Sequence, residues 1–567
     1  MKNVRICLII LFISFSFIHF LPSKSGAYKP PLGIPDPGFG IDDVRPSRPS
    51  SWTSSTPGYY YVDYDNSGCS DSRSYGWPDS PRCTIPNSIS RGSYVEVHGN
   101  YNYTTGGTTD ILGNGTKEPW VANTSGPVWI VGENISNRPT FTERTIICGK
   151  YVYMDMIKFR FHVDDGSVEI TSGVSGYGAN HIVVRNCEIA GNQSNRTYGV
   201  SVDGTATDLV SYIVIYNNVV YNHGDMNGGD QDADALHAGN YSSSIWFLEN
   251  NVHHTSGSGG WAGGAYRGAK NCHHIYFGKN TIYKTRQSGL SVKYATDVIF
   301  SENHIYDIVD TTWSPSKGIG FQYGSQRLWV IFNKIHEARY GIYGGSTKGG
   351  LALSFFAIGN VIYNIHAPGA YGGGSWDEAG IMLNGASYRY IINNTIYNAD
   401  AGINGPGMAD TYYTIENNII SNITKSNGNH VFIEHALGQS ILENSNLYQT
   451  GAGTEKIKWG SNTYTLSQFQ TSVRKGQRCT AKKPLFINPS SDDLRLQSES
   501  PARDAGLADI QLTSNVYDTF ETIYGLDIRK DIAGIRRPQG RSWDMGAYEF
   551  LGSDSPPASP LNLNINQ

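Results

Sequence analysis

The sequence predicts an all-β solenoid, a parallel β-helix. Three observations predict it: an internal repeat of 23 to 34 residues, an asparagine at one fixed position of that repeat, and short alternating segments bounded by glycine. The repeat is carried by a phrase of the form Asn-x-Ile-Tyr. Its apolar third position falls at Ile189, Val220, Val252, Ile282, Ile305, Ile335, Ile362, Ile396, Ile420 and Leu447. Two residues earlier stand Cys187, Asn218, Asn250, Asn280, Asn303, Asn333, Asn360, Asn394, Asn418 and Ser445, eight of the ten being asparagine. A self-similar period of this length is the mark of a stacked architecture, in which neighbouring units bury one continuous core. Asparagine suits such a position, because it tolerates the left-handed region and can hydrogen-bond its copies in the coils above and below.

Each copy supplies the strands the coil needs. Ahead of the phrase run segments such as HIVVRN, YIVIYNN, IWFLENN and VIFSEN, and about 15 to 20 residues upstream run GVSVDG, ALHAG, GLSVK, GIGFQ, GIYGG and GIMLNG. Alternation over so few residues is a strand signal, and no stretch sustains a helical period. One residue after the apolar marker come Tyr221, His253, Tyr283, Tyr306, His336, Tyr363, Tyr397 and Tyr448, which read as an aromatic ladder. On this reading the adjacent His253 and His254 are ladder structure rather than a metal site.

From the start of the chain, Met1–Ala27 reads as a secretory signal: Lys2 and Arg5, an apolar run from Ile6 to Leu21, then Ser25-Gly26-Ala27. A secreted product with no membrane span in the mature chain is expected. Residues 28–57 read as a Pro/Ser-rich linker, 58–485 as the β-helix with its opening segment, 486–550 as a C-terminal cap and 551–567 as a flexible tail. Cys69 and Cys83 flank a compact polar loop suited to a local disulfide, and Cys187 reads as a buried thiol at the ladder position. Charged residues make up only 16% and the net charge is −5, which excludes the basic footprint of a nucleic-acid binder. A monomer is expected.

With these motifs in place, the coils from Ile146 to Gln449 resemble right-handed parallel β-helix proteins of the pectate-lyase-like superfamily. YYVDYDNSGCSD (Tyr60 to Asp71) is similar to the opening strand of many secreted members, and DIAGIRRPQGRSWDMGAYEF (Asp531 to Phe550) to their closing segment. That makes Arg536, Arg537 and Asp544 structural. The fold hosts lyases, hydrolases, epimerases and phage tailspikes, so activity has to be argued from the site.

The candidate site is the stretch from Asp225 to Lys293, where acidic residues, a histidine, an arginine and a lysine gather inside the repeat. By strand parity Ser291 and Lys293 point away from Leu290 and Val292, and His237, Gln322 and Asn384 likewise point outward. Asp230, Asp232 and Asp234 precede the His237 strand, and Arg267 lies in the coil between His237 and Lys293. Trp261 and Tyr266 are candidates for a sugar-stacking platform.

Lyases on this fold abstract the proton α to a uronate carboxylate and expel the 4-linked sugar. The resemblance implies a Ca²⁺ ion or an arginine to neutralise that carboxylate and a lysine base. The parts here are Asp230, Asp232 and Asp234 as metal ligands, Lys293 as base, and Arg267 or His237 as helper, acting on an acidic polysaccharide. The rivals are a glycoside hydrolase using two of the three aspartates, a C5-epimerase sharing the first step, and a non-enzymatic glycan-binding solenoid. For hydrolysis the carboxylates must stand ~5 to 9.5 Å apart. Residues two apart on a strand are separated by ~6.6 Å, which is compatible. The plainer readings are a solvated or structural calcium turn for the aspartates, a surface charge for Lys293 and a strand histidine for His237.

Overall fold

The computed structural model describes residues 28–552 apart from 87–88, 90–91, 103–125, 161–165, 173–177, 194–196, 228–231, 265–270, 346–351, 368, 370, 372–377, 385, 407–410, 437, 452, 510–511 and 513. The expected signal sequence and tail, together with Asp230, Tyr266 and Arg267, lie outside the described residues. Three long sheets run the length of the molecule. Sheet I has 14 strands, from Tyr59–Asp63 to Ile441–Glu443, and sheet II has 13, from Asn100–Tyr101 to Asn446–Tyr448. Sheet III has 13, from Thr145–Ile147 to Asn462–Tyr464. One coil passes through all three, as in Tyr198–Asp203 (III), Val210–Tyr216 (I) and Val219–His223 (II). Neighbouring strands are parallel except for the closing pair Ile457–Trp459 and Asn462–Tyr464.

The inner faces supply a single core. Ile213 and Ile215 of sheet I, Val220 of sheet II and Val200 and Val202 of sheet III are all fully buried in it. The sheet III segments open on glycine because of what faces them. A Cβ at Gly289 or Gly318 would lie 2.3 Å from Cγ2 of Ile305 or Ile335, the apolar marker of the same coil. Glycine in GLSVK and isoleucine in Asn-x-Ile-Tyr are therefore two halves of one contact.

The asparagine ladder is continuous. From Asn218 to Asn418, each Nδ2 donates to Oδ1 of the asparagine in the next coil at 2.9–3.0 Å. The same Oδ1 accepts the backbone N–H of the preceding asparagine, and each Nδ2 also donates to a sheet I carbonyl, such as Asn303 to Phe277 at 2.9 Å. Cys187 and Ser445 end the row: the Cys187 N–H donates to Asn218, and the Asn418 N–H donates to Ser445 Oγ. The left-handed conformation expected of the asparagine belongs instead to the residue before it: Asn217, Glu249, Lys279, Glu302, Phe332 and Gly359 all have φ between 52° and 65°. The asparagine side chain supplies the ladder, while its predecessor makes the corner, whatever its side chain.

Outside this row, Tyr221, His253, Tyr283, Tyr306, His336 and Tyr363 stack face to face with centroids 4.6–5.2 Å apart. His304 Nε2 meets His336 Nε2 at 3.0 Å. Burial, aided by nearby cations, lowers His253 and His304 to about 4 and His336 to about 3.

Cys69 and Cys83 form the expected disulfide, and Cys187 is a buried free thiol. The Pro/Ser-rich segment after residue 27, expected as a linker, runs as a strap along the outer face of sheet I. The Leu32 N–H donates to Glu302 at 2.7 Å, Trp246 Nε1 donates to the Pro35 carbonyl at 2.8 Å, and Arg185 Nη1 donates to the Gly40 carbonyl at 2.6 Å. The C-terminal segment also lies along the side of the solenoid. Phe520 meets Trp329 edge-on at 4.7 Å, Asn417 Nδ2 donates to the Leu507 carbonyl, and the Ala547 N–H donates to Thr395. Arg537 is fully buried against Glu549 and Asp544 is buried, as their structural reading requires, while Arg536 is exposed. The end of the coil is closed by Trp459, Leu466, Phe469 and Cys479. Helical segments escaped the sequence reading, among them Leu466–Gln468 with Phe469–Val473 and the longer Val516–Tyr524, which buries Val516, Tyr517 and Phe520 against sheet I. Strap and C-terminal segment meet at Gly33 (φ 76°), where a Cβ would stand 2.7 Å from Ile331 Cδ1 and 3.0 Å from Phe520 and Ile528.

Two outcomes are expected. Asn303→Ala removes the acceptor of Asn280 and strands buried amide and carbonyl groups, so urea unfolding should register a loss on the order of 3 kcal/mol. A loss under about 0.5 kcal/mol would mean that the ladder adds nothing beyond an ordinary surface contact. The lowered histidines bind fewer protons when folded than the unfolded chain does at its ordinary value of ~6.5. Stability is therefore full above that pH and falls as the pH drops from about 6.5 towards 4 and 3, the folded values. The urea midpoint should be lower at pH 5 than at pH 7, and a His304→Gln/His336→Gln variant should show a smaller drop.

Candidate functional site

Strand pairing decides which outward side chains become neighbours. On sheet III one row reads Ser201, His237, Trp261, Ser291, Gly320 and Tyr343 across successive coils. The row two residues on reads Gly263, Lys293 and Gln322. Lys293 and Gln322 are thus direct cross-strand partners. His237 lies one row over and two coils away, with Cα atoms roughly 12 Å apart from the strand spacing and rise. Gly320 leaves the sheet surface between them without a side chain, and a cleft of about 290 Å³ opens over it.

The cleft collects most of the predicted residues that are described. Asp232, Asp234, His237, Trp261, Ser291, Lys293 and Gln322 all line it, whereas Asn384 does not. Asp234 is buried; its Oδ1 accepts the Ser258 N–H at 2.7 Å and its Oδ2 faces His237 Nδ1 at 3.5 Å. The other ring nitrogen, Nε2, stands 3.8 Å from Asp203, whose carboxylate also accepts from Ser201. The His237 ring stacks on Trp261 at 4.4 Å and meets Tyr198 at 5.0 Å. With carboxylates at both nitrogens and aromatic rings on its faces, His237 acts as a brace for Trp261 and Asp234. Asp232 is exposed at the rim, and its Oδ1 accepts from Gln287 at 2.8 Å.

Several cleft residues were missed by sequence reasoning. Lys317 begins the strand Lys317–Gln322; its Nζ lies 5.6 Å from the Tyr343 ring and 3.4 Å from Ser314 Oγ. The available signal was the residue before the repeated glycine: Ser288, Lys317 and Tyr340 occupy one register position. Trp313, 66% exposed, reaches the cleft from the loop before that strand. Asp310 pins this loop, accepting from the Ser316 and Tyr371 amides and from Arg339 in a two-pronged pair at 3.1 and 2.7 Å. Burial alone would raise the Asp310 carboxyl, but the Arg339 bonds and then the two amides outweigh it and hold it below its ordinary value. No sequence pattern announced this hub, because it joins loops of separate coils.

The donor set argues against a calcium cage built on Asp234. Ca²⁺ takes six to eight oxygens, yet both Asp234 oxygens face protein donors. Among the described residues no three His, Cys, Asp or Glu side chains converge as a metal site. Two of the three expected carboxylates are described, and only Asp232 faces solvent.

Replacing Asp234 by Ala leaves the buried Ser258 amide without its acceptor and His237 without one of its two carboxylates. A loss of about 1–3 kcal/mol in urea unfolding is expected, accompanied by a change in the tryptophan emission of Trp261. An unchanged emission spectrum would show that the brace does not position this ring.

Residues 172–358 match the family described as the right-handed β-helix region. The chain is similar to the uncharacterized protein YwoF of Bacillus subtilis (strain 168), with 27% identity over 186 residues, 32% of this chain. It spans 39% of that relative's length. Among solved structures it is similar to pectate lyase Pel9A, at 12% identity and a TM-score of 0.34, covering 87% of this chain and 96% of that one. It is also similar to the A-module of mannuronan C-5 epimerase AlgE4 from Azotobacter vinelandii, at 15% identity and a TM-score of 0.35, covering 56% and 90%. Among the described residues no helix is long and apolar enough to cross a membrane. With three parallel sheets wound coil upon coil, and a family match over its central coils, the chain has the fold of a right-handed parallel β-helix.

Proposed function

We propose that this is a secreted polysaccharide lyase that cleaves a uronate-containing chain by β-elimination in the sheet III cleft. One observation carries the reading: the cleft places two lysines, Lys293 and Lys317, between aromatic walls on one sheet face. An acidic sugar needs both features. Its apolar ring face stacks on Trp261, Trp313 or Tyr343, and its carboxylate seeks a cation.

In the proposed step Lys293, as the uncharged amine, takes the proton from the carbon α to the uronate carboxylate. The electron pair left behind spreads onto the carboxylate, where Lys317 offsets the growing negative charge and Ser291 and Gln322 stand by as hydrogen-bond donors. The bond between C4 and the glycosidic oxygen then breaks, a C4=C5 double bond forms, and the expelled oxygen takes up a proton. His237 has no role as proton acceptor here; it positions Trp261 and Asp234. Arg267 remains the other helper proposed from its place in the repeat. A calcium contribution rests on Asp230 and Asp232 and enters no step above; calorimetry of the protein with Ca²⁺ tests it. Hydrolysis is less well supported, because Asp234 is committed to Ser258 and His237.

The test is ultraviolet absorbance of the unsaturated uronate on incubation with pectate, alginate and glycosaminoglycan. The wild type should produce it on one of these, and Lys293→Ala should lower the rate by at least ~100-fold, the scale of a lost general base. Lys317→Ala should also slow turnover; because Lys317 is buried, an unchanged urea midpoint is needed to separate lost catalysis from lost folding. New reducing ends without the absorbance would replace elimination by hydrolysis, and full activity in Lys293→Ala would move the base elsewhere.

A further inference from the structure

On sheet I the outward side chains are covered along most of the solenoid, by the N-terminal strap and by the C-terminal segment. Among the stretches left open is one beside the helix Val516–Tyr524. There Tyr388 pairs with Tyr412 in adjacent coils, and the row beside it carries Phe356, Tyr390 and Thr414. The rings lie flat on one another: Phe356 on Tyr390 at 4.9 Å and 7°, Tyr388 on Tyr412 at 5.4 Å and 14°. The helix Val516–Tyr524 stands along one side, and an open groove of about 540 Å³ lies between helix and sheet.

Three features of this groove point to a ligand. Tyr388 keeps 42% of its surface exposed, so its ring is open to a ligand. Among the described residues that line the groove none is Lys, Arg, His, Asp or Glu; its polar groups are hydroxyls and amides, including Gln439 and Asn515. Ser514, also in the lining, is 9% exposed, and its Oγ finds no hydrogen-bond partner among the described residues. A buried hydroxyl left unbonded carries a cost that a ligand's own hydroxyl would remove.

We infer that this groove is a second glycan-binding site, separate from the sheet III cleft, and that it takes a neutral, extended polysaccharide chain. The chemistry matches: apolar edges of the stacked rings for the C–H groups of pyranoses, and uncharged donors and acceptors for their hydroxyls. The strand spacing sets successive rings one coil apart, ~4.8 Å, so a chain lying across the coils meets ring after ring. The absence of charge in the lining separates its ligand from the acidic chain proposed for the cleft, with its two lysines. A uronate would have to surrender its hydration here with no cation in return. The inference stands whether or not the cleft is a lyase site.

Isothermal titration calorimetry of the full chain tests it, with β-1,4-linked glucan, mannan and xylan hexasaccharides as neutral probes and an oligogalacturonate as the charged one. At least one neutral probe should bind. Tyr388→Ala/Tyr412→Ala should weaken that binding more than about tenfold, the loss expected of two stacking rings. Thr519→Arg, at an exposed helix position where it cannot disturb the core, should block the groove to the same degree, while Lys293→Ala should leave the affinity as it is. Binding of no neutral probe would overturn the inference. So would neutral binding that survives both groove variants, or oligogalacturonate binding that these variants abolish.

Discussion

The register of this molecule depends on a row of buried asparagines. Each gives its amide to the next coil and to a sheet I carbonyl, and accepts two N–H groups from the coil before, so no polar group of the corner goes unbonded. A slip of one residue in any coil would break the row and turn a whole strand inside out. Because the row fixes the corner between sheets I and II, it also fixes the strand pairing of sheet III, on which the cleft is built. Lys293 faces Gln322, and His237 faces Trp261, because the asparagines hold the coils in step.

That dependence explains what could be read from the sequence. The asparagines, the apolar markers, the aromatic row and the outward parity of Lys293 and His237 all belong to the strands, where period and pairing leave one arrangement. The separation of His237 from Lys293 was read only as a shared face within a few coils, since parity gives the face and not the register. Lys317, Trp313 and the Asp310–Arg339 hub were not legible. Their positions depend on loops whose lengths vary from coil to coil, and loops carry no period. The corner residue was misassigned for a related reason. Asparagine tolerates φ > 0, but the ladder needs its side chain in a regular corner, and the strained position falls to Glu249, Lys279 or Phe332.

The two surfaces proposed to take carbohydrate differ in origin. The sheet III cleft arises where Gly320 leaves an outer sheet face without a side chain and loops rise beside it. The sheet I groove arises where the covering segments stop short. One is charged and braced by buried ion pairs, and the other is aromatic and uncharged. A solenoid provides both at little cost in core packing, since its inward side chains are the same beneath each.

The meeting of the two terminal segments at Gly33 alters what kind of solenoid this is. In an open array, each coil touches only its neighbours, and the ends are free to fray. Here residues near 33 and residues near 520 and 528 close on each other over Ile331, in the middle of the molecule. A chain made from its N-terminal side can wind coil after coil as it lengthens, but this clasp cannot shut until the residues near 520 and 528 have been made. The latch therefore forms only after the coils between its two halves exist. A truncated product would carry its coils with the latch undone and an apolar stripe of sheet I laid bare.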